Sequence, residues 1–226
     1  MRLVRPFARP LGMRLAPAWR RSIFIQTVDT PNPDSLMFYP QVPILEHGSM
    51  DIPNLKAAAK SPLARALFMI DGVTGVFLSQ EFVTVNKRAD VPWTEVKPAA
   101  FETMMDFFAS GRPVVEEGQA ERKDTAIEED DDEVVIMIKE IIDTHIRPSV
   151  AQDGGDVEYV GFEDGVVMVK MQGSCSGCPS SGATLKGGIE RMLMHYVPEV
   201  TNVVAVDDDD LSRINMDAFR KVEQKH

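Results

Sequence analysis

Cysteine is scarce in this sequence, and no long apolar run is present. The chain has two cysteines in 226 residues, which excludes a secreted domain held together by disulfides. No stretch approaches the roughly 18 consecutive apolar residues of a membrane helix, so the sequence predicts a soluble protein without membrane insertion. Hydrophobic residues make up 44% of the chain, as in an ordinary globular protein, and the length allows one large domain or two small ones.

Acidic residues and lysine are absent from the first 28 positions, whose charged residues are all arginines: Arg2, Arg5, Arg9, Arg14, Arg20 and Arg21. This composition, with interspersed apolar residues, is typical of a mitochondrial transit peptide. Prolines interrupt the continuous apolar core that a secretory signal needs. We therefore expect residues 1–21 to be a leader cleaved after Arg20 or Arg21, and the mature protein to lie in the mitochondrial matrix.

Beyond this stretch the chain carries a large excess of negative charge. Residues 29–226 hold 18 basic and 35 acidic residues, a net charge of −17. Nucleic-acid binding depends on neutralising phosphates with lysine and arginine. A body this acidic is therefore not expected to bind nucleic acid.

An α+β pattern extends over residues 22–112, the first predicted domain. Two strand-like runs flank a turn, and a helix follows with Ser61 as its N-cap and Gly72 beyond its end. Two further strands precede a second helix, in which we expect Pro98 in the first turn. Four apolar residues recur at helical spacing and predict the buried stripe of that helix: Phe101, Met104, Met105 and Phe108.

Residues 113–133 change character and are predicted to be an acidic, flexible linker. Ten acidic residues stand against two basic ones in positions 116–133. Such a segment buries too little apolar surface to offset its ordering entropy, and its like charges extend it.

The second predicted domain, residues 134–207, has the order α-β-β-α-β. Its first helix begins near Val134 and is expected to be stopped by Pro148. A hairpin turns at Asp164-Gly165, a second helix begins at Pro179, and a last strand follows. The remaining residues, 208–226, are predicted to form a solvated acidic tail. The fold class is thus α+β, with two small α/β domains joined by an acidic linker.

The two cysteines, Cys175 and Cys178, form a Cys-x-x-Cys pair within the stretch GSCSGCPSS. The pair lies between a predicted strand and the helix that begins at Pro179. A helix N-terminus lowers the pKa of nearby thiols, because its dipole favours the thiolate. We therefore expect both sulfurs to be anionic and accessible.

Three kinds of site remain open from the residues alone. A zinc site needs four ligands, but His195 lies roughly 25 Å further along the predicted helix, and His47 and His145 have no metal-site spacing. A thioredoxin-like dithiol fits the local order of strand, cysteines and helix, although that motif belongs early in a longer βαβ unit. An iron–sulfur cluster commonly takes four thiolates, which two copies of this chain would supply together.

A family resemblance favours the third kind of site. The stretch GSCSGCPSSGATLKGGIERML, together with IRPSVAQDGGDVEYVGFEDGVV upstream, resembles the C-terminal domain of the Nfu (NifU-like) iron–sulfur proteins. The stretches IQTVDTPNPDSLMFYP and SPLARALFMIDGVTGVFLSQEFVTVNK resemble the N-terminal domain of the same family. The likeness extends over residues 23–206 and points to a mitochondrial member.

The resemblance implies a scaffold or carrier rather than an enzyme. It implies a labile [4Fe–4S] cluster bridged between subunits by Cys175 and Cys178, hence a homodimer or higher even oligomer when the cluster is bound. It also implies upstream cluster-assembly proteins as donors, and client apoproteins such as lipoyl synthase and respiratory-complex subunits. The N-terminal domain is implied to contact partners. The alternative function is a dithiol/disulfide oxidoreductase that uses the same two cysteines.

Overall fold

The computed structural model describes residues 24–116, 124–176 and 179–207. The predicted leader, residues 1–21, and the predicted tail, residues 208–226, lie outside the described residues. None of the helices in the described ranges is long and apolar enough to cross a membrane.

The N-terminal half is built on an antiparallel five-stranded sheet with the order β1-β2-β5-β4-β3. Its strands are β1 (Gln26–Asp29), β2 (Ser35–Tyr39), β3 (Met50–Ile52), β4 (Val73–Leu78) and β5 (Val83–Lys87). Two helices, α1 (Pro62–Phe68) and α2 (Trp93–Ala109), and a 3-10 turn at Ala57–Lys60 complete this half. Strand β3 and the 3-10 turn were not predicted from the sequence.

Helix α1 begins where the sequence predicts. The Ser61 hydroxyl accepts a hydrogen bond from Ala64 N at 3.1 Å and donates one to Val114 O at 2.7 Å. Pro62 occupies the first helical position, where its missing N–H leaves no donor unpaired. Gly72 follows the helix with φ of 90°, a conformation that favours glycine.

Helix α2 differs from its prediction in two respects. Pro98 lies in the second turn rather than the first. The predicted stripe is wrong for Met105, which is 47% exposed. The face of α2 that is actually buried is rotated about the helix axis away from Met105. The buried residues of α2 are Val96, Ala100, Met104 and Phe107.

The sheet of this half buries side chains on both of its faces. Alternate strand residues such as Leu36, Val76 and Val85 face the helices and form the main core. On the opposite face, here called the outer face, Met37, Phe77 and Phe82 form a second buried cluster. An antiparallel sheet commonly leaves one face to solvent, so this outer face must be covered by another part of the chain.

The C-terminal half has the predicted order α-β-β-α-β. Its elements are α3 (Glu133–Ile141), α4 (Arg147–Gln152), β6 (Gly155–Glu163), β7 (Val166–Gly173), α5 (Pro179–Tyr196) and β8 (Asn202–Ala205). Strands β6 and β7 form an antiparallel hairpin that turns at Asp164 and Gly165, both with positive φ, and β8 pairs with β7 in parallel. Helices and sheet enclose a core that includes Ile142, Val167 and Leu193.

The first helical segment of this half does not stop at Pro148, contrary to the prediction. A π-helical stretch, Ile142–Ile146, joins α3 to α4, and Pro148 lies in the first turn of α4. Proline is tolerated in a first turn because its missing N–H would be unpaired there anyway. The helical path therefore continues to Gln152.

Part of the predicted linker is attached to the C-terminal half. Asp124 forms an ion pair with Arg147, and its carboxylate accepts a hydrogen bond from Tyr159 N at 3.0 Å. Further along, Asp131 pairs with Lys139 at 2.6 Å. These contacts bind both ends of the segment 124–131 to the C-terminal half, whereas its charge predicts a flexible chain. Residues 117–123 of the predicted linker lie outside the described residues.

Candidate metal centre

Cys175 lies in the short connection between β7 and α5, as predicted. Gly173, the last residue of β7, has φ of 68° and turns the chain out of the sheet. Ser176 then donates hydrogen bonds to Gly173 O from its amide at 3.3 Å and from its hydroxyl at 2.8 Å. Residues 173–176 are here called the cysteine loop.

A second loop packs against the cysteine loop and accepts hydrogen bonds from it. It joins α4 to β6 through Asp153 and Gly154 and includes Gly155, the first residue of β6. Ser174 N donates to Gly154 O at 3.2 Å, and the Ser174 hydroxyl donates to the carbonyl of Asp153. This loop, residues 153–155, is here called the glycine loop.

The Cys175 side chain is buried between these two loops. It is a free cysteine with 6% of its surface exposed, and its sulfur lies 3.6 Å from the Ser174 hydroxyl. A Cβ atom added to Gly155 would lie 2.6 Å from Cys175 Sγ. Only glycine at position 155 therefore leaves room for the thiol.

The prediction of an anionic and accessible sulfur is wrong for Cys175. The pKa of its thiol is raised to about 11, chiefly by burial; the hydrogen bond with Ser174 opposes the rise, and the Asp153 and Asp156 carboxylates add to it. Helix α5 begins four positions later, at Pro179. Helix-dipole effects fall off within one turn, so burial dominates at Cys175.

The other candidate ligands do not gather around Cys175. Cys178 lies outside the described residues, so its position as a site residue stays a prediction. Within the described ranges, no group of three or more His, Cys, Asp or Glu side chains is arranged to hold a metal ion. His145 and His195 instead lie beside Tyr196, one ring tilted and the other edge-on to it, with centroids 5.3 Å and 4.9 Å from that of the tyrosine.

The N-terminal half contacts the cysteine loop directly, which the sequence did not predict. Asn32 Nδ2 donates to Ser174 O at 3.1 Å, and Asn86 Nδ2 donates to Gly173 O at 3.1 Å. The amide of Gly173 donates to Asp51 Oδ1 at 3.1 Å. Both backbone polar groups of Gly173 are thus bound by side chains of the other half.

The glycine loop is contacted by the same face of the sheet. Thr84 Oγ1 donates to Gly154 O at 2.7 Å. Added Cβ atoms would lie 2.7 Å from Met37 Cγ at Gly154 and 2.9 Å from Phe77 Cγ at Gly173. A sequence signal for this contact existed: Met37 and Phe77 place large apolar side chains on the outer face, where a solvated sheet would carry polar ones.

Two family models match this chain. The model described as "NifU-like domain" matches residues 138–204, and "Scaffold protein Nfu/NifU N terminal" matches residues 25–111. The chain belongs to the Nfu/NifU-like family.

Curated relatives share more than half of their aligned residues with this chain. NifU-like protein 4, mitochondrial, from Arabidopsis thaliana is 58% identical over 187 residues, or 81% of this chain and 66% of the relative. The NFU1 iron-sulfur cluster scaffold homolog, mitochondrial, from Drosophila erecta is 55% identical over 200 residues, or 88% of this chain and 70% of the relative. These relatives are named mitochondrial, which confirms the predicted localisation in mitochondria.

Among solved structures, the solution structure of a NifU-like protein from Saccharomyces cerevisiae is 25% identical and has a TM-score of 0.40. It covers 52% of this chain and 99% of that protein.

Proposed function

We propose that this chain is an iron–sulfur cluster scaffold and carrier, in which the cluster is cargo rather than a resident cofactor. Family membership supports the coarse function, because related chains are named iron-sulfur cluster scaffolds. The finer proposal is that Cys175 and Cys178 bind a labile [4Fe–4S] cluster between two copies of the chain. The protein then passes the cluster on without catalysing a reaction.

The observation that carries this proposal is the shortage of ligands in one chain. The sequence contains only two cysteines, and the described residues offer no metal-binding group that would complete a site. A cluster that takes four thiolates then needs two chains, each providing a Cys-x-x-Cys pair. A cluster held half by each partner is released when the partners separate, which suits delivery.

The rival oxidoreductase has less support. A dithiol catalyst needs an accessible thiolate, whereas Cys175 is a buried, free cysteine with 6% of its surface exposed. No family match points to a disulfide oxidoreductase. Following the family resemblance, we propose that the carrier receives clusters from upstream assembly proteins and serves apoproteins such as lipoyl synthase and respiratory-complex subunits.

Anaerobic reconstitution of the full chain with iron and sulfide tests the shared site. We expect about four irons and four sulfides per two chains, in a chromatographic peak of twice the apo mass or a higher even multiple. Cys175→Ser and Cys178→Ser should each abolish cluster binding, because either change removes two of the four ligands of a dimer.

His195→Ala is the matched control, since it removes an exposed rival ligand from the same half of the chain. It should leave iron and sulfide content unchanged. The proposal is contradicted if either cysteine variant still holds a full cluster, or if iron elutes with the monomer.

A further inference from the structure

The outer face of the N-terminal sheet carries a row of four side chains that meets the two loops of the candidate site. Register places them as successive cross-strand neighbours: Met37 opposite Thr84, Thr84 opposite Phe77, and Phe77 opposite Asp51. The row therefore runs across four adjacent strands of the sheet. These four residues are here called the outer row.

Each member of the outer row contacts a backbone group or an α-carbon of the C-terminal half. Met37 packs on Gly154 and Phe77 on Gly173 so closely that neither glycine has room for a Cβ. The same two glycines are hydrogen-bonded by the other two members: Thr84 donates to Gly154 O, and Asp51 accepts from Gly173 N.

The contact is largely buried, with Asp51 half-buried at one end of the row, and its polar groups are paired. Met37 and Thr84 are fully buried, and Phe77 is 1% exposed. Beside the row, Asn32 and Asn86 donate to the carbonyls of Ser174 and Gly173. A buried carbonyl without a hydrogen-bond donor is destabilising, so these donors make the outer face specific for the loops that it covers.

The backbone that the outer row covers leads directly into Cys175, the proposed cluster ligand. Gly173 and Ser174 immediately precede Cys175, and both are bound by the N-terminal half. If two chains share a cluster, the cysteine loop of the second copy must come within ligand distance of this same stretch. The N-terminal half of the same chain and a second copy of the chain would then both have to occupy the space around Gly173 and Ser174.

We propose that the outer row is a docking surface for the cysteine and glycine loops of its own chain, and that docking competes with the approach of a second copy. The docked chain is the closed, cluster-free form. The cluster-bridged form requires release of the N-terminal domain from the loops. The competition rests on the proposed shared cluster, whereas the docking contact is independent of it.

The test uses the full chain and a lysine placed in the centre of the row. Thr84→Lys puts a long cation where a fully buried hydroxyl now binds Gly154, so it should prevent docking. Once the two halves separate, the outer face is exposed to solvent and the lysine side chain is hydrated, so the sheet itself should still fold. Thr74→Lys is the matched control, because Thr74 is an exposed threonine of the same sheet.

Amide hydrogen exchange at Gly173 reports docking in the apo protein, because this amide donates to Asp51. We expect exchange about tenfold faster in Thr84→Lys and unchanged in Thr74→Lys. Wild-type exchange rates in Thr84→Lys would overturn the docking surface, whatever happens in reconstitution.

Reconstitution at a series of protein concentrations reports the competition. We expect Thr84→Lys to reach half-maximal cluster-bridged assembly at about tenfold lower concentration than wild type. Faster Gly173 exchange with an unchanged or higher half-maximal concentration would overturn the competition. Absence of any cluster in the wild-type protein would refute the proposed function instead, while the exchange result would still decide docking.

Thr84→Val serves if the lysine variant fails to fold. It keeps the volume of the side chain and removes only the donor to Gly154. Both readouts should change in the same direction by a smaller factor, and no change in Gly173 exchange would again overturn docking.

Discussion

Gly155 is the residue on which the position of Cys175 most directly depends. A Cβ at this position would lie 2.4 Å from Gln172 O and 2.6 Å from Cys175 Sγ. The carbonyl belongs to a paired strand and has little freedom to move. The sequence identified the cysteine pair, but which glycine touches Cys175 depends on tertiary contacts between segments 20 positions apart.

Gly155→Ala should therefore destabilise the fold by about 2 kcal/mol through overpacking. The free energy of unfolding in urea measures this change. Gly188→Ala is the control: an added Cβ there meets nothing within 4 Å, and α5 should gain up to about 1 kcal/mol because alanine is the better helix former. Equal effects at the two positions would contradict the close contact at Gly155.

At the scale of elements, most helices and strands follow from local patterns in the sequence. Caps, turn residues and alternation predicted α1, the β6–β7 hairpin and the order of the C-terminal half. Local patterns failed where tertiary packing determines the structure. The π-helical stretch continues the helix past Pro148. In α2, packing against the sheet rather than the spacing of apolar residues determines which face is buried.

Arg147 joins three elements at the start of α4. Its side chain is 13% exposed and pairs with Asp124, Asp143 and Asp156, and it also donates to Val157 O at 3.3 Å. Asp124 lies in the predicted linker and Asp156 lies in β6. One guanidinium thus ties the linker segment and the hairpin to the helix.

Arg147→Lys should destabilise the C-terminal half by about 3 kcal/mol, because an ammonium cannot serve this fork and the buried carboxylates lose partners. Urea unfolding gives the free energy, and limited proteolysis should cut sooner near Asp124. Arg88→Lys makes the same exchange at an exposed arginine that pairs with Asp71 and Asp90. It should leave both readouts unchanged; a similar loss in the two variants would argue against the role of burial.

For the whole molecule, the fold class, the two-part organisation and the family were accessible from sequence, whereas the contact between the two halves was signalled only by the large apolar side chains of Met37 and Phe77. The contact depends on side chains that are ordinary strand residues in isolation, such as Thr84 and Asn86. Their partners are backbone atoms, which leave no trace in side-chain patterns. Burial of Cys175 escaped prediction for the same reason.

Stability of the whole chain should fall in alkali. Burial raises the pKa of Cys175 from 9.0 to about 11 and is the leading cause of the rise at Tyr159 from 10.0 to about 12. A raised folded-state pKa gives stability that is fully present below the unfolded pKa and is lost as pH rises through the folded one. The two groups together therefore place the loss between pH 9 and 12.

Urea midpoints measured from pH 8 to 12 test this expectation. In Cys175→Ala the decline between pH 9 and 11 should be smaller than in the wild type, while the later part due to Tyr159 remains. Identical pH profiles for the two proteins would contradict a buried, neutral Cys175.

The contact between the halves also sets a concentration scale. Because the outer row and the cysteine loop belong to one polypeptide, each experiences the other at a fixed local concentration, on the order of millimolar for a short tether. A second copy has no such advantage, and its occupancy of the loop rises only with the amount of protein in the compartment. Under the proposed competition, dilute chains keep their own cysteine loop covered, and accumulation of the protein favours the proposed cluster-bridged assembly.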